Sequence, residues 1–185
     1  MVDIKETDLK ILFTEEEIQA SIKQLAEKIN LQYKDKEIYV ICVLKGAIMF
    51  MTDLVKHLKM PLNMEFIRLS SYGSSFTSSG KVNMVDISLP DLNNKNVLII
   101  EDIIDTGITA KFLMDFINCN FQVESLKFCS LLDKTAKRTV DIQPDYFALH
   151  VDDKFLVGYG LDYDGYYRNL PYIGYISGEE EKENA

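Results

Sequence analysis

Three acids, Glu101, Asp102 and Asp105, stand beside Thr106, Gly107 and Thr109 in the run VLIIEDIIDTGITA, residues 97–110. Carboxylates this close repel one another, so they favour a ligand that brings hydroxyl donors, a cation or a proton. The Asp-Thr-Gly-Ile-Thr turn favours the opposite. Free amides at a helix start, two hydroxyls and the helix dipole suit an anion, and Gly107 lets the backbone close around a phosphate with no side chain in the way. A sugar phosphate meets both demands, with its phosphate on the turn and its hydroxyls on the acids.

Such a site needs a strand ahead of it and a helix behind it. NVLIIEDI is an apolar run of strand length that ends in the acidic pair, and ligands of open α/β sheets bind at the carboxyl ends of strands. TAKFLMDFIN reads as the helix that follows. Upstream, Thr14 to Glu17 form a capping box, and Ile18, Ile22, Leu25 and Ile29 recur at helical spacing, which predicts a helix over 15–30. EIYVICVL is a near-continuous apolar run, as in a strand covered on both faces. AIMFMTDLVKHL returns to helix; LNMEFIRLS, KVNMVDISL and SLKFCSLL read as strands, and YFALHV, FLVGYGL and YIGYI as short ones. SSYGSSFTSSG, residues 70–80, has no periodicity and is expected to be a loop that closes over a site. Strand-helix alternation without repeat, linker or composition break predicts one α/β domain, residues 1–185, with a mostly parallel central sheet.

Composition narrows the function classes. With 47% apolar and 26% charged residues the chain of 185 is ordinary for a globular protein. Its net charge of −9 argues against a nucleic-acid-coating surface. No apolar run approaches the ~18 residues that span a bilayer, and the start MVDIKETDLK lacks the pattern of a signal peptide, so a cytoplasmic setting is expected. Cys42, Cys119 and Cys129 match no metal spacing and are expected as reduced thiols. His57 and His150 stand beside no nucleophile and read as structural.

The acidic turn resembles the phosphoribosyl-diphosphate motif of type I phosphoribosyltransferases: an apolar strand, two acids, two apolar residues, then Asp-Thr/Ser-Gly-x-Thr. A receiver domain's acidic pocket is the other reading of an acidic pair after a strand, but it places its acids near the chain start. The resemblance runs from about residue 14 to 177 and is to the hypoxanthine phosphoribosyltransferase branch, of the bacterial kind. It implies the type I phosphoribosyltransferase fold, a mostly parallel sheet flanked by helices. The core would span about 35–150, and a small hood would come from the N-terminal segment and about 151–178. It implies transfer of the 5-phosphoribosyl group from phosphoribosyl diphosphate to N9 of hypoxanthine, and guanine, with Mg2+ as cofactor. A homodimer or homotetramer is implied, with no nucleic-acid or membrane partner.

The resemblance also implies roles residue by residue. Glu101 and Asp102 take the ribose hydroxyls, and Asp105, Thr106, Gly107, Ile108 and Thr109 cradle the 5-phosphate. Asp105 is the general base at purine N7. Lys45 and Gly46, in VLKGAIMF, offer backbone amides to the pyrophosphate beside a cis peptide, Ser71 and Tyr72 close over it, and Arg138 and Arg168 approach it. Lys134 donates to the purine 6-oxo group, Phe155 stacks on the ring, and the Leu156 backbone reads its edge. Asp162 borders the purine and, with Glu101 and Asp102, holds the metal. Two departures stand out: Thr135 where relatives often carry Pro, and Ile108 where many carry Lys. Transfer to xanthine, adenine or uracil is a rival reading, as is a regulator that senses nucleotides and binds RNA or DNA. The lack of a basic stretch weighs against the regulator.

Overall fold

The computed structural model describes residues 9–71, 82–86 and 88–176. Strand β1 (Leu9–Phe13) leads into helix α1 (Glu15–Gln32) through the capping box: the Thr14 hydroxyl accepts from the Glu17 amide at 3.3 Å, and the Glu17 carboxylate accepts from the Thr14 amide at 2.9 Å. Ile18, Ile22 and Ile29 are completely buried. Burial is worth about 1.5–3 kcal/mol for each, against about 1 kcal/mol for the cap, so packing holds this helix and the cap sets where it starts.

After α1 the chain runs β2 (Ile38–Leu44), α2 (Ile48–Val55), β3 (Leu62–Ser71), β4 (Val82–Asp86), β5 (Asn96–Ile104) and α3 (Ile108–Asn120). Then follow β6 (Ser125–Lys134), β7 (Tyr146–Val151), β8 (Leu156–Val157) and β9 (Ile173–Ile176). The large sheet has the order β4-β3-β2-β5-β6-β7, parallel from β3 to β7, with β4 antiparallel at the edge. Both faces are covered. Val40, Cys42, Leu98, Ile100 and Cys129 pack toward α1 and α2, while Ile41, Val43, Ile99 and Phe128 pack toward α3. That is why β2 and β5 read as unbroken apolar runs.

A second sheet, β1-β9-β8, is antiparallel and joins the two ends of the described chain. Leu156, Tyr159, Leu161 and Ile173 are buried in the same cluster as α1 and α2, which seats this sheet on the core. The expected strand over FLVGYGL is confined to Leu156–Val157. Gly158, Tyr159 and Gly160 have φ of +97°, +48° and +100°, and three left-handed residues in a row cannot continue a strand. Tyr72, most of the expected 70–80 loop and the acidic tail lie outside the described residues. Cys42 and Cys129 are buried and Cys119 is exposed, all three free; burial pushes the Cys42 thiol up to about 12. His150 departs from expectation, being exposed on β7. Among the described residues no helix is long and apolar enough to cross a membrane.

Candidate active site

Because β2, β5 and β6 are neighbours and parallel, their carboxyl ends deliver Lys45-Gly46, Glu101 to Asp105, and Lys134 to one edge of the sheet. The Leu44–Lys45 peptide is cis. Gly46 lies against the Asp102 carboxylate so closely that a Cβ there would overlap it, and Gly160 lies likewise on the Gly46 carbonyl. Only glycine fits at either place. Arg168 closes the arrangement, donating to the Gly160 carbonyl at 2.6 Å and to Asp162 Oδ1 at 2.7 Å.

The two acids of β5 sit in low-dielectric surroundings. Glu101 is only 8% exposed, and no hydrogen bond or ion pair reaches its side chain from the described residues. Burial holds its carboxyl well above the ordinary range, and the neighbouring Asp102 adds to this. Burial also raises Asp102; the Ile103 amide, 3.0 Å from Oδ1, and the charge of Arg168 draw it down, while Asp162 pushes it up. The pair is short of donors and cations. Among the described residues no group of three or more acids, histidines or cysteines converges on a metal position. Mg2+ is usually held by one or two carboxylates together with substrate phosphates, and Glu101 and Asp102 fit that role. Asp162 gives its oxygens to Arg168 and to the Gly165 amide at 2.7 Å.

The 105–109 turn is built as its sequence requires. Gly107 is left-handed, with φ +82°, and α3 starts at Ile108 with no side-chain cap from Gly107; the Ile108 amide donates to the Thr106 hydroxyl at 3.4 Å, and a helix start of this kind suits an anion. Arg138, expected near the pyrophosphate, instead directs its guanidinium inward. Nε donates to the Asp105 carbonyl at 2.8 Å, Nη1 to the Ile142 carbonyl at 2.6 Å, and Nη2 to Asp133 Oδ1 at 2.6 Å and the Ile104 carbonyl at 3.1 Å. Its side chain is 9% exposed. A planar fork with this many fixed donors splints the turn from beneath.

Lys134 ends β6 and is 6% exposed. Its Nζ lies 2.7 Å from Asp153 Oδ1 and 3.5 Å from Asp105 Oδ2, with the Lys154 carbonyl at 3.4 Å. The other Asp105 oxygen, Oδ1, is buried without a hydrogen-bond partner among the described residues. Phe155 remains 37% exposed and meets Tyr163 edge-on at 5.4 Å between centroids, while Leu156 is buried in β8.

The family model of the phosphoribosyl transferase domain matches residues 9–164. The chain belongs to the phosphoribosyltransferase family. It is 44% identical to the hypoxanthine-guanine phosphoribosyltransferase of Bacillus subtilis over 90% of this chain and 92% of that one. Identity to the protein of the same name from Streptococcus thermophilus is 42%, over 92% and 94%. The crystal structure of a hypoxanthine phosphoribosyltransferase from Staphylococcus aureus superposes with a TM-score of 0.88 at 40% identity, covering 97% of this chain and 98% of that one. The fold is therefore that of the type I phosphoribosyltransferases, as the acidic turn implied.

Within this phosphoribosyltransferase the structure gathers Lys45, Gly46, Glu101, Asp102, Asp162 and Arg168 around one set of contacts. Asp105 and Lys134 meet in a second, and Thr106 to Thr109 form the intervening turn. Ser71 is described only as the end of β3. Asp153, which holds Lys134, was missed by sequence reasoning. Its one signal was its place two residues before Phe155. Lys134 in turn, with help from Lys137 and against the opposing pull of burial, holds the Asp153 carboxyl below its usual range.

Proposed function

We propose that this phosphoribosyltransferase moves the 5-phosphoribosyl group from phosphoribosyl diphosphate to N9 of hypoxanthine and guanine, releasing pyrophosphate. The relatives that bear hypoxanthine-guanine names support the substrate class. The observation that carries the reading is Lys134: a buried side chain with only donors, beside Asp105, whose other oxygen has no hydrogen-bond partner among the described residues. A 6-oxopurine offers these donors an acceptor that can take the place of a protein carboxylate or carbonyl.

On this reading Glu101 and Asp102 accept from the ribose hydroxyls, and the 105–109 turn takes the 5-phosphate. Lys45, Gly46 and Arg168 face the pyrophosphate, with Ser71 and Tyr72 closing over it. N9 attacks C1′ of the ribose as the bond from C1′ to the pyrophosphate oxygen breaks. Asp105 Oδ1, unpartnered in the free protein, accepts the proton from N7; a positioned carboxylate contributes about 10²–10⁴-fold. Glu101 and Asp102, with Asp162 bordering them, would hold Mg2+, which would supply positive charge to offset that of the leaving pyrophosphate. Phe155 stacks on the purine, and Leu156 and Asp162 offer it backbone acceptors. Arg138 serves here as the splint of the phosphate turn in place of a pyrophosphate contact. The reading extends to a single catalytic unit over 1–185, working in the cytoplasm as a homodimer or homotetramer.

The test is kcat/KM for hypoxanthine, guanine and adenine at saturating phosphoribosyl diphosphate and Mg2+. Adenine presents an amino group to Lys134 and an acceptor at N1, so two contacts mismatch at about 1–3 kcal/mol each. The expected discrimination approaches about 10⁴-fold, the scale for a hydrogen-bonding site meeting the wrong partner. Adenine within about tenfold of hypoxanthine refutes both the role of Lys134 and the substrate assignment.

A further inference from the structure

One buried polar cluster has no task in this chemistry. Tyr159, in the turn after β8, is 5% exposed, and its hydroxyl donates to Asp53 Oδ2 of α2 at 2.6 Å. Gln19 of α1 donates to the same oxygen at 2.6 Å and to the Tyr159 hydroxyl at 3.3 Å. Lys56 holds Asp53 Oδ1 at 2.7 Å. A buried phenol requires a partner, but these partners come from two helices far away in sequence, so the bond is not a local turn contact. Tyr159 also adopts φ +48°, a conformation that costs a residue with a side chain about 1–2 kcal/mol. Something must hold it there.

The backbone around Tyr159 shows what is being held. Its amide donates to the Leu170 carbonyl at 2.9 Å, and the next amide, of Gly160, donates to the Arg168 carbonyl at 2.9 Å. Gly160 in turn receives the Arg168 guanidinium on its own carbonyl and rests on the carbonyl of Gly46. Gly46 continues directly into α2, and α2 carries Asp53. The contacts therefore close a ring: from Gly46 along α2 to Asp53, across to Tyr159, and through Gly160 back to Gly46. Arg168 is attached to that ring at two points.

We infer that the hydrogen bond from Tyr159 to Asp53 is a positioning latch, fixing the gap between the Lys45-Gly46 loop and Arg168 and thereby the affinity for the pyrophosphate end of the substrate. Neither residue touches substrate; both act through Gly160. The inference rests on the proposed phosphoribosyl transfer for its ligand, and it separates the pyrophosphate end from the purine end. Phe155 and Leu156 stand on the other side of Gly158, and Leu156 is paired with Tyr175 of β9.

The test uses Tyr159→Phe, which keeps the ring in the core, and Asp53→Asn, which keeps an acceptor and removes the charge. For Tyr159→Phe, KM for phosphoribosyl diphosphate and the calorimetric Kd for pyrophosphate with Mg2+ should rise about tenfold, equivalent to about 1.4 kcal/mol. The KM for hypoxanthine should stay within about twofold and kcat within about threefold. Asp53→Asn should show a smaller rise, about threefold, since the neutral bond is weaker. The double variant should be no worse than Tyr159→Phe alone, as expected for two halves of one bond. A lowered Tm with pyrophosphate affinity unchanged overturns the latch, as does an equal loss of purine and pyrophosphate affinity. Should Tyr159→Phe fail to fold, the same measurements on Asp53→Asn decide. Pyrophosphate binding is read without any purine, so a parent protein that binds pyrophosphate but ignores hypoxanthine defeats the substrate assignment and leaves the latch standing.

Discussion

Replacing Glu101 with Gln should make the free protein more stable and the enzyme far worse, and the size of the first effect follows from burial. Glu101 is 8% exposed, unpaired among the described residues, and raised well above its ordinary value of 4.5 by burial and by Asp102. An acid whose folded pKa is raised is protonated in both states at low pH and contributes nothing there. As pH climbs past its unfolded value, the unfolded chain releases a proton that the folded one keeps, and stability falls until the folded group ionises too. Near pH 7 the cost is bounded by proton uptake, about 1.4 kcal/mol for each unit between the ordinary value and the solution, or about 3 kcal/mol. Glutamine keeps the shape and removes this term. Scanning unfolding between about pH 4 and pH 8 should show the variant melting higher at neutral pH, by about 2–4 °C per kcal/mol for a chain of this size. The two melting curves should converge near pH 4. Activity should move the other way, with kcat/KM for phosphoribosyl diphosphate down about 10²-fold or more as a charged acceptor is lost. A variant that is less stable than the parent at neutral pH, or an advantage that does not shrink on acidification, would refute the picture of an unpaired buried carboxylate reserved for ligand.

Two further substitutions probe the turn that follows. Asp105→Asn should lower kcat about 10²–10⁴-fold while KM for phosphoribosyl diphosphate changes by no more than a few-fold, because shape is kept and the proton acceptor is not; steady-state turnover within a few-fold of the parent excludes Asp105 as the base. Arg138→Lys replaces a fork that meets four carbonyls and Asp133 with a single ammonium. It should cost about 1–3 kcal/mol in denaturant unfolding and raise KM for phosphoribosyl diphosphate more than KM for the purine, and unchanged stability would show that the inward bonds carry no weight.

The parts of the site that were legible in the sequence are those whose chemistry is contiguous. Strand, acidic pair and Thr-Gly turn follow one another from β5 into α3, so the candidate binding residues and the elements that aim them share one short window. The α1 capping box is legible for the same reason, its two hydrogen bonds spanning three residues. β1 had no such window. It is a five-residue strand whose partner, β9, lies at the opposite end of the described chain, and Ile11, an exposed hydrophobic, gives its sequence no clear inward face. FLVGYGL misled in the other direction, since its apolar residues do become buried, but around left-handed turns and not along a strand.

Arg138 shows why a charge in a loop is the hardest residue to read. By type and surroundings it looks like an anion ligand, because an arginine in a polar stretch is ordinarily solvated and free to reach a phosphate. Its actual task depends on which carbonyls lack partners, and topology sets that. β5 ends at Ile104, whose pairing with Asp133 is the last rung against β6, and the Ile104 and Asp105 carbonyls there take their donors from Arg138. The loop after β6 is the nearest chain, and Asp133 at the end of that strand supplies the counter-charge that lets a guanidinium be buried there. No spacing in the sequence encodes that pairing, yet it ties down the backbone where β5 enters the 105–109 turn. The Tyr159 latch follows the same logic at longer range. Where a strand ends or a turn departs from ordinary backbone angles, the unpaired groups left behind recruit polar side chains from wherever the fold brings them, and those side chains look unremarkable until the partners are seen.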